Sequence, residues 1–376
     1  MVEVIAPKMK VRDLTAAPRR IPIDVDGVVT YEVLLTMWTV FNPEESGSGF
    51  DLGPKWLAAV RDATPEDLAG EITALGGPSC GMWLGLLGLV ASAPHPHDPD
   101  RVFDWLAAIS PQRLRRWLLG YIGDFADPGL IEAGGDGDME AVHQIVASAK
   151  GGTIEDEARD QIVAIFDIPG EELRDRMVAA LRRFRLEVFA EHEEDFAGAI
   201  SRAAAAQRAT SARDSAKAVI EEVTNGLDYE IPLGVSRVIL IPSVVVRPLS
   251  LLDQHRDTLL VFYGMADEFI DSDPEAPPSW LVKTYKALSD ERRLRILRRL
   301  SEEEATLDDL TELLGLSKST VHHHMSVLRA AGLVRVRITA KGEPKEAKTY
   351  ALRTQALTSA GEFLDIYVNT GRQEAS

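Results

Sequence analysis

The sequence reads as mainly α with a small β portion: a helical N-terminal domain with a short sheet, followed by C-terminal helices closed by a β-hairpin. Three observations carry this reading. Apolar residues recur at three- and four-residue spacing through most of residues 1–275. β-Branched and aromatic runs are confined there to Ser236–Val246 and Thr258–Tyr263. After an acidic, Pro-rich stretch, Asp271–Ser279, helix caps and glycine stops follow at close intervals. That stretch reads as a linker, which places one domain at 1–275 and a second at 280–370.

Within the first domain, Tyr31–Phe41 is apolar nearly all round, as a buried helix is. Thr64 stands as an N-cap with Pro65 at the first helical position, and Gly76 stops that helix. The most apolar run, Met82–Ala91, is shorter than the ~20 residues that span a bilayer, so it reads as a core helix. Asp100–Ile109 and Pro111–Ile122 are amphipathic. Glu171–Phe189 carries Leu173, Met177, Leu181, Phe184 and Val188 along one stripe. Ser211–Val223 is a further helix ending near Gly226. The two β-branched runs read as a small sheet capping the helical body.

The second domain opens with a helix after Ser289-Asp290, carrying Leu294, Ile296, Leu297 and Leu300. Thr306 and Asp309 form a capping box ahead of an inward face of Leu307, Leu310, Leu313 and Leu314. Gly315 supplies a left-handed turn, and Ser317 caps a second helix, Lys318–Ala330, whose buried face is Val321, Met325 and Leu328. Gly332 ends it. Leu333–Ile338 and Thr349–Leu352 are the strands of a hairpin turning at Lys341–Lys345. Two helices about a tight glycine turn, then a hairpin, make a winged helix-turn-helix.

Charge assigns this segment a partner. The chain carries a net −18, yet between Trp280 and Arg353 there are 15 Lys+Arg against 10 Asp+Glu, and the remainder holds 26 against 49. A basic tip on an acidic body fits a focused surface for double-stranded DNA. The second helix has the dimensions of the major groove, where base edges are distinguishable. Its exposed residues are Lys318, Ser319, Thr320, His322, His323 and Ser326. Ser317, Ser319 and Thr320 sit at its N-terminus, where hydroxyls and N–H groups hold phosphate. His322 and His323 are candidates for base edges, while His324 faces inward. Arg329, Arg335, Arg337, Lys341 and Lys345 are candidates for the DNA backbone or the adjacent minor groove.

Residues 280–353 resemble the ArsR family of bacterial winged-helix regulators. The resemblance is carried by Ala287–Asp290, Arg293–Leu297, Leu316–Val321 and His324–Val334. Met325 stands where the family usually has Leu, and His322-His323 where a Ser-Arg pair is common. The resemblance implies a homodimer reading two major grooves about 34 Å apart, and a dimer formed by helices outside the winged motif. Trp280, Leu281, Tyr285, Leu357, Phe363, Leu364 and Tyr367 fit that place. Many members sense metals through paired cysteines before the turn; Ala305–Leu310 has none, so thiolate sensing there is excluded. The Tyr31-Glu32 helix, Trp56 and Val238–Pro248 look like the long N-terminal region of some actinobacterial members.

Other motifs read as structure. Gly77-Pro78-Ser79-Cys80-Gly81 matches a nucleophile elbow, but a helix precedes it where a strand is needed, so Ser79 reads as the next N-cap. His95-Pro96-His97-Asp98 reads as a solvated loop, and Glu191–Asp195 as an exposed helical face. His322–His324 point different ways around a helix and cannot share one ion. The single Cys80 forbids an intrachain disulfide and fits a reducing, cytoplasmic setting. The expectation is a homodimeric, sequence-specific DNA-binding regulator, a repressor rather than an enzyme, without cofactor, metal site or membrane. Its residues 1–275 would sense a small molecule or protein. The alternative is a ligand- or protein-binding module whose winged helix makes protein contacts.

Overall fold

A computed structural model describes residues 20–42, 50–123, 126–148, 156–211, 214–270, 277–338 and 348–373. The body begins with β1 (Ile23–Val25) and α1 (Thr30–Phe41). There follow α2 (Gly53–Ala63), α3 (Glu66–Gly76), α4 (Gly81–Gly85), α5 (Leu87–Val90), α6 (Pro99–Ala108) and α7 (Pro111–Ile122). Next come α8 (Pro128–Gly135), α9 (Met139–Ser148), α10 (Asp156–Asp167), α11 (Gly170–Phe184), α12 (Ala190–Ser211) and α13 (Ala216–Val223).

Helix α1 is the axis of this body. Every residue from Thr30 to Val40 is buried, as its all-round apolar sequence requires. Its one acid, Glu32, accepts the N–H groups of Val244 (3.2 Å) and Val245 (3.1 Å), and burial pushes its pKa up to about 7. Asp98 and Ser110 cap α6 and α7 through the N–H groups of Arg101 and Arg113, each with Pro at the helix start. The stripe from Leu173 to Val188 is buried, and α11 continues through a π-helical turn, Arg185–Phe189, into α12.

Local details differ from the sequence reading. Thr64 does not cap α3: its hydroxyl donates to Val60 O, closing α2, and Pro65 takes the N-cap position. The stop of α3 falls to Gly77, at φ 63°. Ser79 caps nothing, because it sits at φ 52° inside a 3-10 turn. Ser211 closes α12 rather than opening α13, whose cap is Ser215. His97 is not solvated. It is 1% exposed, with Nδ1 2.5 Å from Asp26 Oδ2 and Nε2 2.8 Å from Ala93 O. The loop turns inward because Asp26 needs a partner: it also accepts the Tyr31 hydroxyl at 3.0 Å.

Four strands follow: β2 (Leu227–Tyr229), β3 (Arg237–Ser243), β4 (Ser250–His255) and β5 (Thr258–Gly264). The first sheet has the order β1-β3-β5-β4, with β1, β3 and β5 parallel and β4 antiparallel. It does not merely cap the helices. Ile239, Ile241, Leu260 and Phe262 face the helical core. Val238, Leu240, Leu259, Val261 and Tyr263 face a second core, shared with α13 and the C-terminal helices. Burial on both faces explains the continuous apolar runs of β3 and β5.

The C-terminal elements are α14 (Ser279–Leu288), α15 (Glu291–Glu302), β6 (Ala305–Thr306), α16 (Leu307–Leu314), α17 (Lys318–Ala330), β7 (Val334–Ile338), β8 (Thr349–Leu352) and α18 (Thr354–Gln373). Their sheet has the order β2-β7-β8-β6. Strand β2 joins β7 in parallel, pairing Asp228 with Arg337. The packing therefore crosses the boundary expected near residue 275: Ala216, Val219, Ile220, Leu227 and Tyr229 share a core with Ile296, Leu310, Val321 and Val336.

Candidate nucleic-acid interface

The turn into α17 is built by capping. Thr306 Oγ1 accepts the Asp309 N–H at 3.2 Å while Asp309 accepts the Thr306 N–H at 2.7 Å. Gly315 takes the left-handed conformation at φ 63°, and Ser317 Oγ accepts the Thr320 N–H at 3.3 Å. Val321, Met325 and Leu328 are buried and anchor the helix. Leu310 is buried with them, whereas Leu313, expected inside, is 38% exposed, and Leu294 on α15 is 48% exposed.

Opposite that anchor, Ser317, Lys318, Ser319, His322, His323 and Ser326 are exposed and Thr320 is half-exposed. Ser317 Oγ lies 3.0 Å from Ser319 Oγ and 2.7 Å from Thr320 Oγ1, a cluster of hydroxyls at the helix N-terminus. Lys318 reaches Asp308 at 2.7 Å, an exposed pair of little net energy that phosphate can displace. His324 is buried, with neither ring nitrogen hydrogen-bonded among the described residues, and burial lowers its pKa, so it is neutral core.

The basic residues beyond this face are arranged differently from the expectation. Arg329 is half-buried, its pKa lowered by burial, so it is withdrawn from the exposed face. Arg335 pairs with Glu221 of α13 at 2.6 Å. Arg337 reaches Asp228 of β2 at 3.1 Å and Glu304 at 3.3 Å. Both arginines keep roughly half their surface, at 42% and 52% side-chain exposure, but their charge is already balanced by the body. Lys341 and Lys345 lie outside the described residues. The counter-charges were not foreseen because a three-residue strand such as β2 leaves almost no periodic signal.

At the other end, α14 and α18 pack together. Trp280 meets Phe363 edge-on at 5.0 Å, and the Tyr285 hydroxyl donates to Ala360 O at 3.3 Å. Phe363 (49%), Ile366 (58%), Tyr367 (40%) and Val368 (60%) remain exposed. Leu357 and Leu364 are half-buried. Leu281, expected on this surface, is 3% exposed because it turns into the chain's own interior.

Residues 290–336, from the cap of α15 into β7, match the family described as bacterial regulatory protein, arsR family. Over 85 residues the chain is 37% identical to the transcriptional activator HlyU of Vibrio cholerae serotype O1, across 22% of this chain and 72% of HlyU. The chain belongs to the arsR family of bacterial regulatory proteins. It is a DNA-binding transcriptional regulator of that family, with a long N-terminal region ahead of its winged helix-turn-helix. No solved structure matches the chain.

For an arsR-family protein, a metal site is the natural question. Among the described residues, no group of three or more His, Cys, Asp and Glu is placed to hold a metal ion. The Asp26–His97 pair is not a general base either, since both imidazole nitrogens already face acceptors. Among the described residues, no single helix is long and apolar enough to cross a membrane.

Proposed function

We propose that the protein is a homodimeric repressor whose residues 1–275 form an effector or partner domain and whose α17 reads the operator. The observation that carries this is the two-sided chemistry of α17. Lys318, Ser319, Thr320, His322, His323 and Ser326 line the side opposite buried Val321, Met325 and Leu328, which fits a major groove. The hydroxyl cluster at its N-terminus holds phosphate, and His322 and His323 address bases. Apolar residues exposed on α18 and the α14–α18 contact support a dimer seam there. A dimer set across two successive major grooves covers about 34 Å of duplex and excludes other proteins from it, and on that ground we assign repression. HlyU is described as an activator, so the sign is part of the test.

Gel shift on the region upstream of the protein's own gene, paired with a reporter in cells lacking the protein, tests this reading. Binding that falls steeply with salt, together with raised expression in its absence, supports it. No shift at low salt sinks DNA binding at that site, and lowered expression reverses the sign.

A further inference from the structure

We propose that the cavity between the sheet, α12 and α14 is a binding site for a small organic cation with an aromatic or alicyclic body. The cavity measures ≈ 420 Å³, within the usual range of small-ligand sites. It lies past the carboxyl ends of parallel strands β3 and β5, where ligands of open α/β sheets bind. Its walls come from both halves of the chain: Gln207 of α12, Glu222 of α13 and Tyr263 of β5 on one side, Trp280 and Lys283 of α14 on the other, with Ala330 at the end of α17.

Charge selects the ligand. The two cations in the wall are already neutralised: Lys283 lies 2.6 Å from Asp51, and Arg247 pairs with Asp51 and Asp267. Glu222 and Glu268 also line the cavity and make no ion pair among the described residues. The lining is thus left with an excess of two carboxylates, which favours a cation and repels an anion. Trp280 and Tyr263 supply aromatic surface for the body of such a molecule and for cation–π attraction. Tyr263 is 6% exposed, and its hydroxyl has no hydrogen-bond partner among the described residues. A buried hydroxyl left so is costly, and a polar group on a ligand would satisfy it.

This rests on the reading of residues 1–275 as an effector domain, and it names the ligand and the route. A molecule wedged between β5 and α14 touches the support of the recognition helix through Ala330, so occupancy and DNA affinity are linked.

The test uses phenethylamine, 2-phenylethanol and phenylacetate, which share one body and carry a positive, no and a negative charge. Binding to the full chain is read by saturation-transfer NMR and calorimetry, and operator binding by gel shift. The expected result is at least tenfold tighter binding of phenethylamine than of either analogue. Glu222→Gln with Glu268→Gln should erase that preference, and Ala206→Trp, which fills the cavity from α12, should block all three. Equal or tighter binding of phenylacetate, undiminished binding to the Ala206→Trp protein, or no binding of any probe overturns the site while leaving DNA binding intact. Binding with the expected charge preference but no change in gel shift keeps the site and overturns the effector reading.

Discussion

Asp228 and Arg337, 109 residues apart in sequence, face each other in the parallel register of β2 and β7, with the guanidinium 3.1 Å from the carboxylate. Lys217 closes on the same carboxylate at 2.7 Å. Asp228 is 4% exposed, so this pair joins the body to the wing through a desolvated acid. Asp228→Asn is expected to destabilise the protein by roughly 1–3 kcal/mol in denaturant titration, since two cations lose their buried counter-charge.

The same pair sets a pH response. Burial pushes the Asp228 carboxyl up, but Lys217 and Arg337 outweigh it and hold it below its ordinary value. A lowered native pKa means that this stabilisation is complete above about pH 4, the unfolded value, and is lost as pH falls below it. Melting temperature followed from pH 6 to pH 3 should therefore fall less steeply in Asp228→Asn than in the parent. Equal slopes would remove Asp228 from the acid response.

Glu221 neutralises Arg335 at 2.6 Å. Glu221→Gln leaves that guanidinium available to phosphate. Affinity for random-sequence DNA at low salt should rise several-fold, and the slope of log K against log salt should steepen by about 1. Arg335→Ala added to Glu221→Gln should return the slope to that of the parent. A slope unchanged by Glu221→Gln alone would show that β7 stands clear of the duplex.

His322 is exposed on α17, and its backbone carbonyl accepts the Ser326 hydroxyl at 2.9 Å. His322→Ala should change preference at one operator position by about 1–3 kcal/mol while leaving stability unaltered. Ser317→Ala removes the cap of α17 and should cost about 1 kcal/mol of stability, with weaker binding to every sequence. Selection of binding sites from a random pool separates the two outcomes.

His97 gives a response of opposite sign. Burial pushes its pKa down, but the Asp26 carboxylate at 2.5 Å outweighs that and holds it above the ordinary value. The resulting stability is fully present below about pH 6.5 and is lost as pH rises through the raised native value. Denaturation midpoints measured from pH 6 to pH 9 should fall in the parent and fall less in His97→Phe. Parallel curves would show that His97 does not titrate in the native protein.

Much of the winged helix was legible because its signals are local. Thr306–Asp309, Gly315, Ser317 and Gly332 each act within four residues, and caps and left-handed turns depend on immediate neighbours. The stripe of α11 and the all-round apolar α1 were legible for the same reason, since periodicity is a property of one element. What escaped were pairings between distant segments. Strands β1 and β2 are three residues each, too short to show a period. His97 looked like a loop residue until Asp26, 71 residues earlier, was brought against it.

By itself the sequence determined that α1 and α11 are helices, where the recognition helix starts and stops, and that basic charge gathers at one end of an acidic chain, because these follow from backbone preference and composition. Only the tertiary structure decided how that charge is disposed. Folding brings Glu221 and Asp228 onto Arg335 and Arg337 and leaves the exposed face of α17 with Lys318 and its hydroxyls, since Coulomb attraction depends on distance in space and not on separation along the chain.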